Sequence, residues 1–157
     1  TEFVPAENLG VKNAKWDSKD GYQVNRDCYN SYFYLVEDNN TNHLDKFVLH
    51  GKEITQYLDG GSALHLNLDE SLSTEAYLKL FNVAAATGCN YFCVNVKITI
   101  CNDCEKIDKR TLMRCHVCGS ENIDYGTRII GYLKRITAFS QGRQKEHALR
   151  HYHKKRA

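Results

Sequence analysis

Four cysteines in two matched pairs, Cys101-x-x-Cys104 and Cys115-x-x-Cys118, constrain this chain more than any other feature. Each Cys-x-x-Cys turn offers two sulfurs to one ion, and two such turns close a tetrahedral thiolate shell. Ten residues separate Cys104 from Cys115, fewer than in most ribbons but enough for a hairpin to return. Gly119 directly follows Cys118, where a tight turn can aim backbone N–H groups at a thiolate. Lys106, Lys109, Arg110 and Arg114 offset the double negative charge of a four-thiolate zinc site. The donor set predicts Zn²⁺, with an iron–sulfur cluster as the rival and free thiols or a redox pair as the plainer alternative. Four sulfurs leave no open position, so the site reads as structural. His116 lies between two of the ligands and is not needed as one.

The chain has 157 residues, enough for a domain with a real core. It has seven cysteines, an odd number, and no charged-then-apolar leader opens it. A disulfide framework is therefore disfavoured, and a reducing, cytoplasmic setting fits better. Cys28, Cys89 and Cys93 are left over, and buried free cysteine is common in cores. No apolar run approaches the roughly 18 residues that cross a bilayer, so no membrane partner is expected. Thr1 is not a methionine, which suggests a processed product or one piece of a longer polypeptide. The net charge of +2 conceals an asymmetry. Eight Lys/Arg and one acid follow Gly131, against 13 Lys/Arg and 18 Asp/Glu before it. Such a tail can bind nucleic acid, or it can be a helix end docked on the acidic body of its own protein.

Patterning gives the order of elements. The polar stretch up to Gly21 lacks periodicity and reads as loop. Tyr32 to Val36 reads as a strand or buried segment, and Asp38 to Asn42 as a turn. Lys46 to His50 is a short strand candidate ending at Gly51. Leu64, Leu66 and Leu68 alternate with His65 and Asn67, the period of a strand. His65 and Asn67 face either a barrel interior or water. Ser73 caps a helix whose apolar face is Ala76, Tyr77, Leu80, Phe81 and Ala84, and Gly88 closes it. Phe92, Val94, Val96, Ile98 and Ile100 form one alternating strand that delivers the chain to Cys101. Strand, helix, strand predicts a crossover unit of a parallel sheet or barrel, and so an α/β fold. Arg143 to about His153 forms a final helix with Glu146 and Arg150 as an i,i+4 pair.

Shortly after the cysteines comes Arg128-Ile129-Ile130-Gly131-Tyr132-Leu133. By spacing alone Gly131 is a bulge or a close backbone approach in a strand. The segment resembles the Arg-x-x-Gly-Tyr-Leu signature of glycyl radical enzymes. Placed after a four-cysteine knot, it resembles the anaerobic (class III) ribonucleoside-triphosphate reductase. Gly60-Gly61-Ser62-Ala63-Leu64-His65-Leu66-Asn67-Leu68 and Thr87-Gly88-Cys89-Asn90-Tyr91-Phe92 resemble late barrel segments of that family. Ile100-Cys101-Asn102-Asp103-Cys104, the opening Val4-Pro5-Ala6-Glu7 and the closing Gly142-Arg143-Gln144 extend the likeness over essentially the whole chain. It is nearest to the phage-type enzymes.

The resemblance implies the C-terminal part of a longer catalytic subunit. Residues 1–100 would be the end of the α/β barrel, 101–119 the Cys₄ zinc subdomain, and 120–157 the glycyl radical loop and basic C-terminal helix. Gly131 would carry the radical. Glycine suits the task because a side chain would crowd the planar Cα centre and block access to its hydrogen. A separate iron–sulfur activase would abstract that hydrogen with S-adenosylmethionine. The radical would pass to an upstream cysteine, whose thiyl takes the ribose 3′ hydrogen and eases loss of the 2′ hydroxyl. Formate is the usual reductant of the class. Some relatives carry a methionine shortly before the glycine, whereas Asn122-Ile123-Asp124-Tyr125 has none and Met113 lies too far back, which leaves the reductant open.

The implied partners are the remainder of the subunit, the activase, a ribonucleoside triphosphate and a second copy of the full-length protein. No segment here matches the loop that bears the thiyl cysteine, and Cys28, Cys89 and Cys93 are not assigned to it. The nucleotide-sensing domain also has no counterpart. Pro5-Ala6-Glu7-Asn8 resembles a segment near the substrate phosphates, with a plain polar loop as the alternative. Two other functions compete: a zinc-ribbon module docking its basic tail on nucleic acid, and a spare-part glycyl radical protein that replaces an oxygen-cleaved tail.

Overall fold

Two sheets joined through one residue organise the chain. In a computed structural model, residues 2–3, 8–30, 32–128 and 132–153 are described. β1 (Glu2–Phe3), β2 (Gly61–Leu68) and β3 (Tyr91–Val96) form a parallel sheet in that order. β4 (Ile98–Cys101), β5 (Ile107–Asp108), β6 (Ile123–Arg128) and β7 (Leu133–Arg135) form an antiparallel sheet ordered β5-β4-β6-β7. The helices are α1 (Leu9–Lys19), α2 (His43–Leu49), the short α3 (Lys52–Thr55), α4 (Thr74–Thr87) and α5 (Gln141–Leu149). The fold is mixed α/β, as expected.

The strand–helix–strand unit forms as its pattern predicts. β2 and β3 run parallel from Ala63↔Tyr91 to Leu68↔Val96, with α4 between them. Ser73 Oγ accepts the Ala76 N–H at 3.3 Å, and Gly88 closes the helix at φ 76°. A Cβ at Gly88 would meet Lys52 at 2.7 Å, so glycine is required there for space as well as for φ. Leu80, Val83 and Ala84 pack on a core of Phe47, Leu64, Leu66, Tyr32, Tyr34 and Val36. Phe81, expected on this face, is exposed, although its ring meets Phe92 at 5.4 Å.

All eight residues of β2 are buried, the polar ones included. His65 and Asn67 therefore do not face water. His65 Nδ1 lies 3.2 Å from the Tyr32 hydroxyl, and Asn95 Nδ2 donates to Asn67 Oδ1 at 3.2 Å. A parallel strand covered on both faces buries its polar positions too, and these must find partners.

Three local expectations need correction, and a fourth is decided between its two readings. The stretch up to Gly21 is largely helix α1. Ala14 is its only buried side chain among the described residues, so it shows no broad apolar stripe. Lys46 to His50 is helical, not a strand. Asn42 accepts from the N–H groups of Leu44 and Asp45, and the Asp45 carboxylate accepts from the Asn42 N–H, closing a capping box. Tyr32 to Val36, read as a strand or a buried segment, is the buried segment: its burial alternates, and among the described residues it pairs with no strand. The Asn30 side chain instead donates to the carbonyls of Tyr32 and Tyr34, each at 2.6 Å. The long strand ending at Cys101 is two strands broken at Lys97. β3 loses its partner where β2 ends at Leu68, and β4 then pairs with β6. Its fully buried residues are Asn95, Thr99 and Cys101 rather than the apolar set.

The final helix also stops early, at Leu149. The chain beyond it crosses back over both sheets. His151 N–H donates to the Val36 carbonyl at 2.7 Å, and His153 N–H to the Asn67 carbonyl at 3.1 Å. Leu68 and His153 form a parallel bridge. No helix among the described residues is long and apolar enough to cross a membrane.

Burial pushes His50 down to about 4, and burial with the Arg150 charge does the same to His65. Burial likewise pushes His147 and His153 down to about 4. Unfolded histidines titrate near 6.5, so the unfolded chain takes up protons first as pH falls. Stability should be full above about pH 6.5 and decline toward pH 4, by up to about 1.4 kcal/mol per pH unit for each proton. Thermal melts across that range, compared with a His50→Gln variant that flattens the slope, check this.

Candidate metal centre

The cysteine pairs fold into two matching knuckles. Cys101 N–H donates to the Lys106 carbonyl at 2.9 Å, and Cys115 N–H to the Ser120 carbonyl at 2.8 Å. Each knuckle turns through a left-handed residue just after its second cysteine: Glu105 at φ 59° and Gly119 at φ 73°. The turns aim N–H groups at sulfur. Those of Cys118 and Val117 point at Cys115, that of Lys106 at Cys104, and that of Ser120 at Cys118.

The four Sγ atoms lie within 4.8 Å of one another. Cys101 to Cys118 and Cys104 to Cys115 are each 3.6 Å apart. Zinc bonded tetrahedrally to sulfur at about 2.3 Å holds its sulfurs roughly 3.8 Å apart. The spacing therefore suits a metal ion of that kind. Backbone N–H groups of Cys118 and Val117 bring Cys115 down to about 6. The Lys106 N–H lowers Cys104, yet loss of water and the three neighbouring sulfurs push it up to about 12. One thiolate forms readily while Cys104 and Cys118 resist, which is the state that a shared cation relieves. His116 is no ligand: its Nδ1 lies 2.7 Å from Asp108 Oδ2. Arg110 grips the same carboxylate through both its backbone and its guanidinium, and holds it well below the usual carboxylate range.

The centre is built onto the antiparallel sheet. Cys101 ends β4 and pairs with Ile123, the first residue of β6. Thr99 Oγ1 donates to the Arg110 carbonyl and accepts the Leu112 N–H, both at 2.8 Å, which pins the loop between the knuckles. Asp103 accepts from Ser120 and Asn122, so each knuckle holds the other. Arg135, the last residue of β7, donates to Asn102 Oδ1 at 2.6 Å, which ties that strand to the first knuckle, and Thr137 donates to Asp124 Oδ2 of β6 at 2.6 Å.

β6 then leads away from the sulfurs. At about 3.4 Å per residue its six residues span roughly 17 Å. Its last residue, Arg128, pairs with Leu133 of β7, so residues 129–132 join the two strands. Gly131 lies outside the described residues, as do Val4 to Glu7 and Lys154 to Arg156. Cys28 and Cys89 are buried with thiols raised by burial, and burial pushes Cys93 up to about 11. Glu105 and the Asp103–Ser120–Asn122 set were not singled out from sequence. The repeat of knuckle length, Glu105 standing where Gly119 stands, was the signal available for the first.

A crossover unit running straight into a four-cysteine knot and a hairpin defines an α/β protein with a cluster that could hold a metal ion. The family model for anaerobic ribonucleoside-triphosphate reductase matches residues 1–153, and the chain belongs to that family. A solved structure described as an anaerobic ribonucleotide reductase is 30% identical, with a TM-score of 0.83 over 99% of this chain and 25% of that one. The Thermotoga maritima anaerobic ribonucleotide reductase in complex with dATP and CTP is 29% identical, with a TM-score of 0.74 over 94% of this chain and 23% of that one. The same enzyme with MES in the active site is 32% identical, with a TM-score of 0.73 over 88% and 22%. The chain thus spans about a quarter of the length of these relatives. Among curated proteins there is no match.

Glu105 bears the left-handed cost that Gly119 avoids, about 1–2 kcal/mol for a residue with a Cβ. Glu105→Gly should raise stability by about 0.5–1 kcal/mol, after the extra chain entropy that glycine loses. Gly119→Ala should lower it by about 1–2 kcal/mol, although its Cβ would meet nothing within 4 Å. Denaturant melts of the two variants check the pair.

Proposed function

We propose that this chain is the part of an anaerobic ribonucleoside-triphosphate reductase that stores a glycyl radical on Gly131. Reduction of ribonucleoside triphosphates to deoxyribonucleoside triphosphates would occur in the assembled barrel, with formate as reductant. The observation that carries the reading is a conjunction. Arg128 and Leu133 pair across residues 129–132, in a chain that belongs to this family and whose same sheet ends in a thiolate cluster.

Residues 1–100 would supply the last barrel segments, 101–119 a Cys₄ zinc subdomain, and 120–157 the radical loop and C-terminal helix. Cys101, Cys104, Cys115 and Cys118 would hold Zn²⁺, whose role is to lock the two knuckles. An iron–sulfur activase using S-adenosylmethionine would take the Gly131 hydrogen, and a cysteine elsewhere in the subunit would receive the radical. The remaining partners are the rest of the subunit, a ribonucleoside triphosphate and a second full-length copy, in the cytoplasm. The buried polar residues His65, Asn67 and Asn95 favour β2 and β3 as interior barrel strands over a water-facing sheet. A nucleic-acid role for the basic tail is disfavoured, because Arg143 and Arg150 are buried against Glu146.

Two experiments test this. The full-length protein, treated with activase, dithionite and S-adenosylmethionine, should give an EPR doublet that Gly131→Ala abolishes with zinc retained. A doublet persisting in the alanine variant would sink the assignment, and air should cleave the wild-type chain at Gly131, as read by mass spectrometry. Metal analysis should find one zinc per chain. Cys104→Ser should release it and lower the melting temperature. Unchanged zinc in that variant would remove the four-cysteine site.

A further inference from the structure

Outside the thiolate centre, a cluster of deeply buried charges lies on one face of α5 and just beyond it. Arg143 Nη1 donates to Glu146 Oε2 at 2.9 Å, and Arg150 Nε and Nη2 donate to the two Glu146 oxygens at 2.8 and 3.1 Å. The three side chains are 1%, 5% and 0% exposed. Such a dry network is seldom a source of stability, because desolvating two guanidiniums and a carboxylate offsets their attraction.

The far end of the network is more informative. With Nε and Nη2 committed to Glu146, the Arg150 fork has a fixed plane. Its Nη1 then donates to the backbone carbonyl of Arg128 at 2.9 Å. That is the last described carbonyl before residues 129–131. One residue earlier, the Tyr152 hydroxyl donates to Thr127 Oγ1 at 3.4 Å and lies 3.2 Å from His147 Nε2. The C-terminal segment therefore grips the end of β6 at two successive residues. A carbonyl bonded to a buried charged donor cannot turn its peptide plane without leaving that donor unpaired.

We propose that Arg150, oriented by Glu146, is a positioning residue for Gly131: it fixes the Arg128 carbonyl and so the direction in which the chain enters residues 129–131. The inference rests on the glycyl radical reading above. It assigns the basic C-terminal segment a role in aiming the radical-bearing backbone. Lysine at 150 keeps the charge but cannot both chelate Glu146 and reach the carbonyl.

The test uses the full-length reductase subunit with activase, S-adenosylmethionine and dithionite, and reads spins per chain, EPR hyperfine splitting, zinc content and melting temperature. Arg150→Lys should give about tenfold fewer spins, as loss of a charge-assisted bond shifts a population, and a changed splitting with zinc retained. Glu146→Gln should move both readouts the same way by less. Leu80→Ala, in the α4 core, should lower the melting temperature while leaving spins per folded chain and splitting unchanged. Wild-type spins and splitting in both Arg150→Lys and Glu146→Gln overturn the proposal. So does an equal loss of spins in Leu80→Ala at an equal loss of melting temperature. If Arg150→Lys neither binds zinc nor melts cooperatively, Glu146→Gln decides. A wild-type protein without a doublet fails earlier, at the glycyl radical reading, and takes this inference with it.

Discussion

Antiparallel pairing of β4 with β6 is the constraint on which the rest of the structure depends. Cys101 is the last residue of one strand and Ile123 the first of its register partners. The ladder therefore joins a thiolate cluster at one end to a hairpin at the other. Gly126 is part of how closely the strands meet. A Cβ there would come within 3.1 Å of Ile98 and 3.2 Å of Ile100. Each sulfur turn is small, and the first is strained at Glu105, but the turns are held together by Asp103, Ser120 and Asn122 and are continuous with the ladder.

The parallel half is organised differently. Its apolar face is an ordinary core of Phe47, Leu64, Leu66 and Ala84. It also buries the polar residues His65, Asn67 and Asn95 of β2 and β3, with the Tyr32 hydroxyl against His65. Polar side chains placed this deep raise the cost of any alternative packing, since each displaced partner leaves a buried donor or acceptor unmet. The neutral histidines fit the same picture, because an imidazolium could not be hydrated there.

Much of this was legible in the residues. The cysteine spacing foretold the cluster, and alternation with Ser73 and Gly88 foretold the β2–α4–β3 unit. What escaped did so for physical reasons. α1 buries only the small Ala14 among its described residues, which leaves no hydrophobic period. α2 did announce itself, in Asn42 and Asp45, but five mixed residues ending at Gly51 also fit a short strand. The break at Lys97 is invisible to alternation, which continues through it while the pairing partner changes. The Glu146–Arg150 spacing was plain, but its burial and its reach to the Arg128 carbonyl depend on where the last turn of the chain lands. Gly131 was noticed through its neighbours in sequence alone.

The single-residue link at Lys97 has a mechanical consequence. A sheet hung from one residue alone would be free to pivot, carrying the sulfur knot and the hairpin together as a rigid lever. The crossing segment at 150–153 supplies a second mounting point on the same side as the link, to Thr127 and Arg128 of one sheet and to Val36 and Asn67 beside the other. A lever pinned twice does not swing, so the angle between the two sheets is fixed by residues that lie more than fifty positions from the link.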